Sequence, residues 1–192
     1  MLRLYTQNID CIDTRLPELA IRVPLPDQGP WPRTVQLHGS LDLVICQKCR
    51  EIGPLNPEAL HGPEAPSCPS CMHDHSVRMA AGKRSHGIGK LRPRITLYGE
   101  NHPFDCESIG SVVACDLQSK PDALIVVGTT LHLPGVRSIV RDMAHTVAKN
   151  RTGLIIWINR EPPSQSLSTR LGISWDFIVQ SSSDEVAGRL LR

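Results

Sequence analysis

The sequence predicts a parallel α/β sheet domain with a small metal-bound module inserted in it. Three observations predict it. Two continuous apolar runs, Asp122 to Gly128 (DALIVVG) and Gly153 to Asn159 (GLIIWIN), are bounded by turn residues, as strands buried on both faces are. Between them Val136, Ile139, Val140, Met143, Ala144 and Val147 recur at helical spacing and mark an amphipathic helix. Upstream, two Cys-x2-Cys pairs sit in a stretch rich in Pro and Gly with little periodicity of its own. A strand, helix, strand order of this kind reads as a parallel sheet.

The remaining elements follow in chain order. Leu2 to Thr6 is short, apolar and β-prone, and ends in the polar group Gln7-Asn8-Ile9-Asp10. Pro17 to Pro32 is proline-rich and reads as a loop. Val35 to Leu37 is a short extended piece leading into His38-Gly39. The insert from Cys46 to Met79 folds only if something staples it. Phe177 to Val179 is a third candidate strand. Ser182 and Glu185 stand at capping-box spacing ahead of a terminal helix that ends near Leu191.

Bulk properties exclude several classes. A chain of 192 residues, 40% of them hydrophobic, is long enough to bury a core and is not compositionally disordered. Its 21 Lys and Arg against 19 Asp and Glu give a net charge of +2, with no basic excess to indicate a nucleic-acid binder. No apolar run approaches the roughly 20 residues that span a bilayer. The opening residues MLRLYTQNID lack the apolar stretch of a signal peptide. Seven cysteines, an odd number, argue against a disulfide scaffold and for a reducing compartment.

Cys46, Cys49, Cys68 and Cys71 form two Cys-x2-Cys pairs separated by 18 residues. Each pair places two thiolates on one cation, and two such knuckles complete a tetrahedral zinc site. Four sulfur ligands leave no open position, so one structural zinc per chain is expected. His73 and His75 lie just past Cys71 as alternative donors. At the carboxyl ends of the expected strands stand three polar groups: Gln7-Asn8-Ile9-Asp10, Gly128-Thr129-Thr130, and Asn159. Ligands of open α/β sheets bind at such ends. These hydroxyls and amides suit a nucleotide or cofactor. His38 has the side chain of a general base near neutral pH, or of an ordinary histidine.

The ordered set Tyr5-Thr6-Gln7-Asn8-Ile9-Asp10, His38-Gly39-Ser40, the cysteine quartet, Arg92-Pro93 leading to Tyr98-Gly99-Glu100, Gly128-Thr129-Thr130-Leu131 and Ile158-Asn159 resembles the sirtuins. The resemblance covers nearly the whole chain. It implies a partial Rossmann-like sheet in a single domain, 1–192, with a small zinc-ribbon module, 41–90, inserted in it. It also implies an NAD-dependent protein-lysine deacetylase. Asn8 would contact the nicotinamide ribose, Asp10 would hold the carboxamide, and Gln7, with Ile9 beside it, would set the ribose next to His38. Gly128, Thr129, Thr130 and Asn159 would line the adenosine pocket. An acyl-lysine peptide would lie as an added strand between Tyr98-Gly99-Glu100 and Leu131-His132-Leu133. His38 would be the general base, and the products free lysine, nicotinamide and O-acetyl-ADP-ribose.

The stretch Gly89-Lys90-Leu91-Arg92-Pro93, with Leu97-Tyr98-Gly99-Glu100-Asn101-His102-Pro103, is most similar to the fungal nuclear branch that deacetylates a core histone. That similarity implies an acetylated histone substrate and the nucleus, with the cytoplasm as the alternative location. No membrane or sequence-specific nucleic-acid partner is expected. The chain departs from the family pattern at Cys11 to Leu16, Thr130, Leu133 and Gly135. The family's glycine-rich phosphate loop would precede Tyr5 and is absent from this sequence. Weak NAD binding and poor turnover are therefore expected of the chain alone, with apolar runs such as Asp122 to Gly128 left partly uncovered. The alternative function is a zinc-holding scaffold or peptide-binding module without turnover.

Overall fold

The computed structural model describes residues 3–100 and 105–191. Leu2 of the first expected strand and Asn101-His102-Pro103 of the sirtuin-like stretch lie outside the described residues. The chain divides into two compact units, Leu2–Ser108 and Ile109–Arg192.

The first unit opens with β1 (Leu4–Thr6), which pairs in parallel with β2 (Thr34–Gln36) at the register Tyr5 to Val35. The segment between them is not wholly loop: Pro17–Leu19 forms a 3-10 turn, with Pro17 at its first position. An antiparallel sheet follows, in the order β4 (Ile52–Pro54), β3 (Gly39–Cys46), β5 (Leu91–Ile95). Its β3–β5 register shifts between Ser40 and Val44, a bulge. The insert also contains a helix that no sequence period announced, α1 (Pro69–Ala80). Cys68 is its N-cap and Pro69 its first residue, where the missing amide hydrogen costs nothing. Of its described side chains only Cys71 is buried, so α1 has no apolar stripe from which to read it.

The boundary between units falls within α2 (Cys106–Gln118). The second unit is a parallel sheet in the order β6 (Ala123–Val127), β7 (Leu154–Asn159), β8 (Phe177–Gln180). The crossovers are α3 (Pro134–Val147) and α4 (Gln165–Leu171), the alternation of a Rossmann-like fold. Val136, Val140, Met143, Ala144 and Val147 are buried along α3, and Ile139 of the expected face is half-buried. Trp157 is buried and meets Trp175 edge to face, with ring centroids 5.1 Å apart. The chain closes with α5 (Ser183–Leu190), whose N-cap Ser182 accepts the Glu185 amide as the capping-box spacing predicts. The Glu185 carboxylate turns instead to the Ser181 hydroxyl and to Arg189.

The β6 run is not buried on both faces: Ile125 is 56% and Val127 45% exposed. The register aligns Ala123 with Leu154 and Ile125 with Ile156, and Leu154 on that same face is 42% exposed. The opposite face carries the buried Val126, Ile155 and Trp157. A run apolar at every position reports propensity for burial on both faces, but not whether both faces are covered.

Candidate functional site

The four cysteines converge. Their sulfurs all lie within 4.8 Å of one another, with Cys46 to Cys71 at 3.8 Å and Cys49 to Cys68 at 3.7 Å. A tetrahedron with metal–sulfur arms of about 2.3 Å has edges of about 3.8 Å, so the cage fits zinc and is far too wide for disulfides. The amides of Lys48 and Cys49 both donate to Cys46 Sγ at 3.4 Å. Burial raises the Cys46 thiol, but those two amides together with the Cys49 and Cys68 side chains outweigh it and bring the group down to about 7. The Glu51 amide lowers Cys49, yet desolvation and the three neighbouring sulfurs push it up to about 12. Four thiols this close cannot all ionise unaided, and a divalent cation is the charge that resolves the conflict. Gly89 closes the cage from one side: a Cβ there would lie 2.5 Å from Cys46 Sγ and 2.7 Å from Lys48 Cβ. Among the described residues no histidine joins the cluster, and His75 Nδ1 pairs with Ser85 Oγ at 2.6 Å.

In the same unit the backbone brings Gln7, Asn8, Ile9 and Asp10 beside His38. The Leu37 amide donates to Thr6 O and the Leu41 amide to Ile9 O, each at 2.9 Å. The loop after β1 is thus fastened on both sides of His38. Its own turns are shaped by side chains, with Thr6 Oγ1 accepting the Asn8 amide and Asp10 Oδ1 the Ile12 amide, both at 3.1 Å. Asn8 and Asp10 are exposed, while Gln7, Ile9 and His38 are half-buried. The Thr96 amide, just past the end of β5, donates to His38 O at 3.0 Å and so also fastens the histidine's backbone. Gly39 adopts φ +83°, and a Cβ there would meet Arg94 O at 2.0 Å. Only glycine lets the strand after His38 approach β5 so closely.

Beyond β5 the chain turns at Tyr98 and Gly99. Tyr98 is wholly exposed, and the turn is tied at its base by Glu100. That carboxylate takes both guanidinium nitrogens of Arg92 and the Leu97 amide. The Arg92 hydrogen bonds first, then the Leu97 amide, hold Glu100 down to about 2, and Glu100 in turn raises Arg92. Arg94, 4% exposed, pairs with Asp105 at 2.6 Å.

In the second unit, Gly128 to Thr130 and Asn159 share the carboxyl edge of the parallel sheet. Asn159 Nδ2 donates to Thr129 O at 3.1 Å, and the Gly128 amide to Ile158 O at 3.0 Å. Gly128 has φ +63° with open space where a Cβ would point, the space a ligand at this edge needs. Leu131 is 1% exposed with φ +54°, so its side chain is withdrawn from the surface. Leu133 caps α3 with an extended backbone. Neither Tyr98-Gly99-Glu100 nor Leu131-His132-Leu133 belongs to a strand.

Sequence reasoning gave no role to Cys11 or Thr96, and it used Gly89 and Arg92 only as parts of a motif. A glycine one residue before Lys90 signals nothing by itself. The positive φ of Cys11, at +60°, has no local sequence cue.

Residues 1–134 match the Sir2 family. The chain is 49% identical over 97% of its length to the NAD-dependent protein deacetylase hst4 of Emericella nidulans, covering 31% of that protein. It is 48% identical over 86% of its length to the hst4 deacetylase of Schizosaccharomyces pombe, covering 39% of it. It is 45% identical over 99% of its length to the NAD-dependent histone deacetylase HST4 of Saccharomyces cerevisiae, covering 52% of it. Among solved structures, a Sir2 homologue in complex with 2′-O-acetyl ADP ribose superposes over the whole chain with a TM-score of 0.65. The identity there is 23%, the chain covers 59% of that structure, and the likeness is one of fold. This chain belongs to the Sir2 family. It spans between about a third and about half of the length of these curated relatives.

Proposed function

We propose that this chain carries the histidine base, the zinc module and the peptide-facing turns of an NAD-dependent protein-lysine deacetylase. Its substrate would be an acetylated histone and its place of action the nucleus. The chain would be one catalytic domain, 1–192, with the zinc module, 41–90, inserted in it. The relatives named as NAD-dependent deacetylases, one of them a histone deacetylase, support the reaction and the substrate class. The observation that carries the reading is the fastening of the Gln7 to Asp10 loop on both sides of His38.

Bound NAD would supply an activated ribose carbon with nicotinamide as leaving group. Asp10 would accept from the carboxamide, and Asn8 and Gln7 would hold the adjoining ribose. An imidazole nitrogen of His38 would take the proton released as a ribose hydroxyl becomes the nucleophile. Gly128, Thr129, Thr130 and Asn159 would receive the adenosine end. Tyr98, Gly99 and Glu100 in the first unit, and the backbone of Leu131 and Leu133 in the second, would each contact the peptide. The zinc would stay structural, since its four sulfur ligands leave no open position.

The test is a reaction of acetylated histone peptide with NAD, read by mass spectrometry. The purified chain would be assayed alone and joined behind the upstream segment of the Emericella relative. Free lysine, nicotinamide and O-acetyl-ADP-ribose are expected. ADP-ribose transferred to protein with the acetyl group retained would overturn the deacetylase reading. A folded, zinc-loaded protein that does neither would point to a scaffold.

A further inference from the structure

We propose that Cys11 is a positioning residue, whose thiol couples the loop that presents Asp10 to the strand that presents His38. The proposal rests on the deacetylase reading and deepens it.

Cys11 directly follows Asp10 and is 2% exposed. Its sulfur is a three-way junction. It donates to Ile9 O at 3.5 Å, contacts Ser40 Oγ at 2.9 Å, and receives Gln36 Nε2 at 3.6 Å. Either group can donate across the Cys11–Ser40 contact, and when the thiol hydrogen turns to Ile9 the Ser40 hydroxyl can donate to sulfur. Ser40 Oγ accepts the Asp42 amide at 3.0 Å in turn. Gln36 and Ser40 lie two residues either side of His38, one ending β2 and the other near the start of β3. The thiol of Cys11 therefore touches the chain before and after the histidine. It also ties back to the carbonyl of Ile9, in the loop itself.

The backbone points the same way. Cys11 adopts φ +60°, a left-handed conformation that glycine takes freely and other residues hold only where their surroundings over-determine it. A non-glycine residue here keeps an unfavoured φ while its side chain fills a buried polar junction. Ser40 is fully buried, so this hydrogen bonding is shielded from water. The consequence is geometric. The Asp10 carboxylate and the His38 ring must meet one ligand from two separate chain segments, and a small misplacement at such a site lowers the rate steeply.

Cys11→Gly is the decisive variant, because it removes the sulfur and relieves the backbone instead of straining it. Cys11→Ser keeps one donor and acceptor on a shorter arm. Both would be made in the chain joined behind the Emericella upstream segment. Thermal midpoint, KM for NAD, KM for peptide and nicotinamide inhibition would be measured. For Cys11→Gly we expect an unchanged or higher midpoint, with KM for NAD and the nicotinamide inhibition constant each raised roughly 10-fold, the worth of about one buried hydrogen bond. The KM for peptide should stay as in the parent, and Cys11→Ser should recover most of the loss. An active parent whose Cys11→Gly variant matches it would overturn the coupling and leave the deacetylase reading intact. The coupling is overturned equally if midpoint and both KM values worsen together, which is the signature of general loosening. A parent that neither releases nicotinamide nor deacetylates would overturn both readings.

Discussion

The guanidinium of Arg92 and the carboxylate of Glu100 meet as a two-pronged pair, Nη1 to Oε1 at 2.6 Å and Nη2 to Oε2 at 2.9 Å. Arg92 lies on β5, whose continuation at Thr96 bonds the backbone of His38, and it also donates to Ile95 O at 2.7 Å. One strand thus holds both the histidine and the exposed Tyr98 turn. Glu100→Gln should free that turn while β5 stays paired. In an active hybrid protein the KM for acetyl-peptide should rise roughly 10-fold, with the KM for NAD unchanged, because charge-assisted forks are the strongest side-chain hydrogen bonds. Steady-state kinetics with each substrate varied in turn checks this. Equal shifts in both KM values would contradict it.

The same pair sets a pH dependence. Glu100 is held at about 2 against an ordinary value of 4.5. A carboxylate depressed in the folded state stabilises that state fully above 4.5 and loses its contribution as pH falls toward about 2. The difference in thermal midpoint between the parent and Glu100→Gln should be constant from neutral pH down to about 5 and then shrink. Melting curves at neutral pH and at two acid points test the sign. A gap that closes above pH 5 would assign the effect to another group.

The zinc cage yields a prediction at a residue that is not a ligand. Cys49→Ala should release the metal, since such modules fold with their zinc. Gly89→Ala should do the same with all four cysteines intact, because its Cβ would fall 2.5 Å from Cys46 Sγ. Metal analysis of the purified proteins should find one zinc in the parent and far less in either variant. Full zinc in Gly89→Ala would mean that the 85–90 loop gives way more easily than its packing indicates.

His38→Ala, made in the hybrid protein, should cut turnover by roughly 10²–10⁴-fold while leaving zinc content and midpoint unchanged. Gly39→Ala should behave differently. Its Cβ would collide with the Arg94 carbonyl, and its φ of +83° is already unfavourable to other residues. Loss of activity there should come with loss of stability, and kinetics beside calorimetry separates the two.

Leu133→Pro tests the proposed peptide edge. Leu133 already has φ −78°, within the range of proline, so the substitution removes an amide hydrogen with little backbone strain. Peptide affinity should fall while α3 remains folded by circular dichroism. Unchanged affinity would place the peptide elsewhere.

Local signals in the sequence were enough for the metal site and much of the second unit. Two Cys-x2-Cys knuckles specify four sulfurs, and no distant partner is needed to read them. The α3 stripe follows from a period of 3.6 and the α5 cap from a spacing of three, both properties of a few adjacent residues. The helix α1 was missed because it buries one residue and so has no stripe, and an apolar run such as β6 does not show by itself which of its faces is covered.

The sequence by itself determined the cysteine quartet and the order of the motifs that mark the proposed site: Asn8 and Asp10, His38, Glu100, Gly128 and Asn159. Only the tertiary structure decided how they are held. Cys11 meets Ser40 across 29 positions of chain, and Gly39 lies under a carbonyl contributed by Arg94. Gly89 closes a cage whose nearest sulfur belongs to Cys46. Such contacts join residues far apart in the chain, and their distances depend on how β3 and β5 pair and bulge, which no local period encodes.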